Sequence, residues 1–196
     1  MSFWIWLEKG QCMPGNDTPG RRFACWFGRK MACRHPKVFI DSTAQISPNA
    51  RIHPRCGKIV IGKNSSVAPN AVIQGNVVLG ENTSVQYNTM LVGYGKPDEK
   101  QGMICIGSNV RIAANCMVIA ANHIFRDPNI PIYQQGVEAA PITIEDNVWI
   151  GGGVHITAGV TIGKGSVIGA GSVVTKDIPP YSVAVGTPCK VVKQRV

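Results

Sequence analysis

Four histidines, at positions 35, 53, 123 and 155, are the side chains here whose ordinary pKa, about 6.5, suits proton transfer near neutral pH. His35 and His53 lie before or within early turns with no motif around them, and His155 is no better placed, so all three are read as surface or packing residues. His123 differs. It stands at the root of the longest stretch, from Asn122 to Pro141, that interrupts an otherwise regular sequence. A loop of that length in a compact fold is usually functional, and a residue at its root is held by the rigid element it leaves. Within hydrogen-bond reach of an alcohol, an imidazole there removes the hydroxyl proton as the oxygen attacks an acyl carbon. The resulting oxyanion needs fixed donors, and the Gly151-Gly152-Gly153 run can bring backbone N–H groups close to it. The imidazolium then returns its proton to the leaving group, so no covalent enzyme intermediate is required.

Metal chemistry fits less well. Three histidine ligands on zinc commonly include two close in sequence, whereas these four are widely separated. Cysteines 105 and 116 sit in or beside apolar repeat positions rather than in a polar cluster, and no metal is expected.

The element that must position His123 is set by a period of six. Every sixth residue is aliphatic from Ile40 to Ile52, from Ile61 through Val67, Ile73, Leu79 and Val85 to Leu91, from Ile106 to Val118, and from Ile144 to Val174. Four residues after each leader the side chain is small or modest, as at Ala44, Cys56, Ser65, Thr83, Cys116 and Ser172. Gly often follows the leader and Asn comes soon after, at Asn64, Asn82 and Asn109, where a bend favours residues that tolerate left-handed backbone. A helix needs apolar spacing near 3.6 and an alternating strand a spacing of two, so six implies short strands joined by regular bends. Three such strands close a triangular coil whose leaders stack on the coil below. The eighteen leaders make about six coils.

The interruptions delimit the chain: an N-terminal segment 1–36, a repeat domain 37–178 with loops 93–103 and 122–141, and a tail 179–196. The short Pro54-to-Gly57 break is structural. The segment Arg21–Arg34 mixes cations with apolar residues at helical spacing, which predicts a short amphipathic helix. Covering the open edge of the first coil is its favoured role, ahead of attachment to a membrane surface.

Hydrophobic content of 44% with 16% charged residues places the chain among globular proteins, and no apolar stretch approaches the ~20 residues of a membrane-spanning helix. Glu8 and Lys9 interrupt the aromatic N-terminus before a signal peptide develops, and seven cysteines without a Cys-x-x-Cys pair imply reduced thiols, so a cytoplasmic location is expected. The formal net charge of +9 favours an anionic partner. Phosphorylated cofactors and anionic sugars fit that charge as well as nucleic acid, for which the sequence offers no recognised module.

The repeat over roughly residues 38 to 192 resembles the hexapeptide-repeat transferases, which fold as left-handed parallel β-helices and usually form homotrimers. The His123 loop and the Ile144-to-Gly151 segment are similar to the galactoside, maltose and polysaccharide O-acetyltransferase branch. In the galactoside and maltose enzymes proline follows the histidine directly; here Ile124 to Asp127 intervene before Pro128, closer to capsule and lipopolysaccharide modifiers. The resemblance implies His123 as general base and Trp149 as a catalytic partner that stacks on the acceptor or orients the donor. It implies acetyl-CoA as co-substrate, contacted by Gly152, Ala170, Thr175 and Lys176, with Lys190 and Lys193 where relatives often carry phosphate-binding arginines. Gln86, Asn88 and Tyr94 lie near acceptor-side positions, and Asp127 or Gln135 would reach in from the long loop. The expected reaction is transfer of acetyl to a hydroxyl of a sugar, glycan or related small molecule. A xenobiotic acetyltransferase and a non-catalytic β-helix scaffold are the alternatives, because the repeat by itself identifies fold better than function.

Overall fold

A computed structural model describes residues 3–7, 10 and 13–195. Cys12 and the Glu8-Lys9 pair lie outside the described residues. The repeat forms a left-handed parallel β-helix of six coils, each with three short strands. The first face stacks the strands Val38–Ile40, Ile59–Ile61, Val77–Leu79, Ile104–Ile106, Ile142–Ile144 and Thr161–Ile162. Its second face runs from Gln45–Ile46 through Ser66–Val67, Ser84–Val85, Arg111–Ile112 and Trp149–Ile150 to Val167–Ile168. The third runs from Arg51–His53 through Val72–Gln74, Met90–Val92, Met117–Ile119 and His155–Ile156 to Val173–Val174. Parallel pairing places each leader directly over the one below, for example Val85, Ile112, Ile150 and Ile168 on the second face. The leaders form one continuous core.

The second inward position of the hexad does separate work at the corners. Ser65, Thr83, Thr89 and Ser166 are fully buried, and each hydroxyl donates to a carbonyl of a neighbouring turn, Thr83 to Gly107 at 2.8 Å. Cys56 departs from the expected pattern: it is exposed in the turn between Pro54 and Gly57, because that break lifts it out of register.

The N-terminal segment folds as two helices, α1 (Phe3–Leu7) and α2 (Pro19–Ala32). Thr18 caps α2, its side chain accepting from the Arg21 N–H, and Pro19 starts the helix where its missing donor costs nothing. The expected amphipathic helix thus begins two residues earlier than the apolar spacing suggested. α2 lies on the first coil through Ala24, Cys25, Gly28 and Ala32, so closely that a Cβ on Gly28 would fall 2.1 Å from the Ile46 carbonyl oxygen. Arg29 fastens it by donating to the Ser42 and Ala44 carbonyls.

Beyond residue 178 the stack continues. Ser182–Val185 adds a parallel strand to the second face, and Lys190–Gln194 folds back antiparallel on it.

Candidate active site

Coils stack at the ~4.8 Å spacing of hydrogen-bonded strands, so residues one coil apart at a corner are near neighbours. Two corners collect most of the residues singled out in the sequence.

At the corner between the second and third faces, here the glycine corner, the left-handed position is Asn70, Asn88 and Asn115 in successive coils and then Gly153 and Gly171. The column is continuous: Asn88 donates its side-chain amide to Asn115 at 3.3 Å, the Gly153 N–H donates to the Ala114 carbonyl, and the Gly171 N–H donates to the Gly152 carbonyl. Gly152 and Ala170 stand beside those glycines, one coil apart. Asparagine satisfies the same backbone in the lower coils, so backbone geometry alone does not call for glycine above. Sterics within the chain do not either. A Cβ on Gly171 would meet nothing within 4 Å, one on Gly153 only the Gly171 nitrogen at 4.0 Å, and one on Gly152 only the Ala114 oxygen at 3.5 Å. The corner between the first and second faces supplies the contrast. There the series Asn64, Asn82, Asn109, Asn147 continues through Gly165 to Tyr181, and a Cβ on Gly165 would strike the Tyr181 ring at 2.6 Å. The glycine corner is therefore an open ledge within its own chain, with room for an extended molecule. Lys190 pairs with Val185 at the top of this column, while Gln86 and Asn88 lie two coils below Gly152.

At the corner between the third and first faces, here the histidine corner, both long interruptions leave the coil. The stretch read as the 122–141 loop is a hairpin: Ala121–His123 pairs antiparallel with Val137–Ala139, and α3 (Ile132–Gln135) lies at its tip. His123 is exposed and opposes Val137, so its backbone is fixed at the root as expected. The hairpin is ordered by its own side chains. Gln135 donates to the Asp127 and Ile130 carbonyls at 2.8 and 2.7 Å and accepts from the Asp127 N–H; Asp127 accepts from the Asn129 N–H; Arg126 pairs with Glu138 at 2.6 Å. Asp127 and Gln135 thus build the loop, their polar atoms engaged with its backbone. One coil below, Tyr94 begins the 93–103 loop, which touches the hairpin where Gln101 donates to the Ala139 carbonyl at 3.4 Å. Thr175 and Lys176 lie two coils above the hairpin root, both exposed.

Trp149 belongs to neither corner. It projects from the second face, 56% exposed, in register with Arg111 and Val167, and Lys193 continues this column through Val183. His155 projects from the third face, in register with Met117 and Val173, on the surface that separates the two corners. Within one chain the structure therefore brings Tyr94, His123, Thr175 and Lys176 to one edge and Gln86, Asn88, Gly152, Ala170 and Lys190 to the other. The third face between them is on the order of 15–20 Å wide, six residues at about 3.3 Å each. A switch from Asn to Gly is present in the repeat register at both of these corners, so it singles out this edge only together with the Tyr181 ring that fills the other.

One thiol braces the glycine corner from the core side, Cys116 donating to the Gly151 carbonyl at 3.1 Å. Burial pushes Cys116, and to a lesser depth Cys105 and Cys189, above the usual thiol pKa of 9.0, which keeps them protonated. The His35 and His53 rings meet edge-on at 4.5 Å, and His35 is shifted down by desolvation first and then by the neighbouring His53 and Arg34. Among the described residues no group of three or more His, Cys, Asp or Glu side chains is arranged to hold a metal ion.

Comparison with known proteins places this architecture. The family described as "Bacterial transferase hexapeptide (six repeats)" matches residues 58–93 and 141–176, the coils before and after the two long loops. Among curated relatives it is 38% identical over 96 residues to the galactoside O-acetyltransferase of Escherichia coli, covering 46% of this chain and 44% of that one. The chain spans half or less of the length of the first curated relatives it matches. Among solved structures it resembles the polySia specific acetyltransferase NeuO, at 28% identity and TM-score 0.66 over 81% of this chain and 66% of that one. It also resembles a single-residue mutant of AntD, an N-acyltransferase from Bacillus cereus in complex with dTDP and Coenzyme A, at 26% identity and TM-score 0.69 over 81% and 83%.

Proposed function

We propose that the protein transfers the acetyl group of acetyl-CoA to a hydroxyl of a sugar or glycan, with His123 as the general base. The observation that carries this reading is that two features of the chain contribute nothing to its core. A bare ledge at Gly152, Gly153, Ala170 and Gly171 adds nothing to the core, and neither does a hairpin that holds an exposed histidine at its root. A ledge with no side chain larger than a methyl group fits the extended pantetheine arm, and Lys190 at its upper end offers a cation to the phosphates. The likeness to proteins whose names specify acetyl transfer, and to one bound to Coenzyme A, supports the same donor.

Because the two edges lie a full face apart, a complete site takes one edge from each of two subunits. In a homotrimer the histidine corner of one chain faces the glycine corner of the next, a head-to-tail contact that closes after three copies. His123 then takes the proton of the acceptor hydroxyl as its oxygen forms the new bond to the acyl carbon. Backbone N–H groups at the ledge hold the oxyanion, and Trp149 covers the acceptor from the second face. As the C–S bond breaks, the imidazolium passes its proton to the departing thiolate.

An amino sugar is the second acceptor reading, favoured by the likeness to the N-acyltransferase AntD in a complex with dTDP-4-amino-4,6-dideoxyglucose and Coenzyme A. The test follows thiol release from acetyl-CoA across sugars, glycans, amino sugars and antibiotics, for wild type and His123→Ala, with CoA binding measured by calorimetry. The expected result is unchanged CoA binding and a rate lower by about 10²–10⁴-fold in the variant. Undiminished turnover by His123→Ala would remove the base, and failure of the wild type to bind CoA would turn the reading to a scaffold.

A further inference from the structure

The outer side of the N-terminal helices stands apart from the proposed transfer site. α2 spends its Ala24, Cys25, Gly28 and Ala32 face on closing the first coil, while Phe23, Trp26 and Met31 remain 40–48% exposed. α1 extends this apolar surface. Its Trp4 stacks on Phe27 with ring centroids 4.6 Å apart and on Phe23 at 6.2 Å, and Phe3 and Trp6 stay 59% and 66% exposed. A helix whose only task was to cap the coil would turn polar residues outward. A contiguous aromatic surface marks an interaction site instead.

Charge identifies the partner. The first 37 residues hold seven of the 20 Lys and Arg but only two of the 11 acids, and of those two Asp17 is paired with Arg21. Arg22, Lys30 and Arg34 are exposed on or just beyond α2. Two hollows flank its C-terminal half. One, of about 300 Å³, is lined by Trp26, Arg29, Lys30 and Cys33 among others; the second, of about 260 Å³, is lined by Met31, Arg34, His35, Arg51 and His53 among others. Tryptophan and phenylalanine flanked by arginine and lysine match the boundary between acyl chains and headgroups, where rings bury and cations meet lipid phosphates. A second copy of this chain would set the same positive excess against itself.

We propose that this surface docks the protein onto anionic lipid bilayers. Capping the coil and binding a membrane then belong to opposite faces of one helix. The cations attract the negatively charged leaflet, and Phe3, Trp6, Phe23 and Trp26 enter its interface. Among the described residues no helix is long and apolar enough to cross a membrane, so the contact is peripheral.

The experiment is vesicle flotation of the full chain with phosphatidylcholine alone and with phosphatidylcholine containing phosphatidylglycerol, at low and high salt. Binding is expected only to the anionic vesicles and weakens as salt rises. Arg22→Gln/Lys30→Gln/Arg34→Gln lowers the affinity on the order of 100-fold, and Trp6→Ser/Phe23→Ser/Trp26→Ser abolishes binding. The charge variant keeps the wild-type melting temperature because its side chains are exposed; the aromatic variant also gives up the ring contacts of Phe23, so its fold is checked by circular dichroism beside the vesicle assay. Absence of binding to anionic vesicles, or unchanged binding by the charge variant, overturns the proposal. So does an aromatic variant that lowers the oligomeric mass while vesicle binding persists, which would assign the surface to a second copy.

Discussion

Replacing Gly152 with leucine separates what the fold requires from what the ligand requires. A Cβ at this position touches only the Ala114 oxygen at 3.5 Å, ordinary van der Waals contact, and the backbone there is not in the left-handed region. Folding stability should therefore change by no more than about 0.5 kcal/mol, or ~1–2 °C in melting temperature for a chain of this size. Its neighbour Gly151 is the opposite case. There a Cβ would sit 2.6 Å from the Ala170 nitrogen and 2.9 Å from the Ile168 oxygen, backbone atoms that cannot step aside. Gly151→Ala is expected to cost about 1–3 kcal/mol and to lower the melting temperature by ~2–12 °C. CoA affinity should show the reverse order: the leucine side chain fills the ledge and weakens binding at least ~10-fold, about 1.4 kcal/mol. Calorimetry with CoA beside a melting curve for each variant makes the comparison. Subunit mixing adds a second readout, since chains with Gly152→Leu assembled with chains carrying His123→Ala should regain activity at sites that combine the intact corner of each. Gly152→Leu that binds CoA as tightly as the wild type would refute the assignment of the ledge.

The buried hydroxyls give a stability prediction: Thr83→Val leaves the Gly107 carbonyl and the Val110 N–H without the Thr83 hydroxyl, and should cost about 1–3 kcal/mol in chemical denaturation. A loss below the error of the measurement would show those groups satisfied elsewhere. The thiols give a pH prediction. Cys116, Cys105 and Cys189 are raised above 9.0, so the folded chain keeps protons that the unfolded chain has lost. The stability they contribute is full below about pH 9 and declines as pH rises beyond it. Denaturant midpoints between neutral and alkaline pH should fall, and less so in Cys116→Ala once its own cavity cost is subtracted.

Much of the fold was legible because a hexad is a one-dimensional rule. Ile144, Ile150, Ile156, Ile162 and Ile168 each recur at the same offset, and stacking identical offsets buries them all without any distant contact having to be foreseen. The general-base candidate was legible for the same reason, since His123 stands where the rule fails. Cys56 shows the limit of the rule: the sequence keeps its offset, but the turn from Pro54 to Gly57 breaks the register and leaves the side chain in water.

What the sequence by itself determined, then, was the repeat, its left-handed bends at Asn and Gly, and the stretch that departs from it. Tertiary structure decided which residues share an edge. Residues far apart in sequence, such as Asn88 and Ala170, fall on one corner, while His123 and Trp149 project from different sides of the prism. That division depends on the three-fold winding of each coil, which sends positions six residues apart to different faces and positions eighteen apart to the same one. It is also why one chain carries His123 and Gly152 on separate corners.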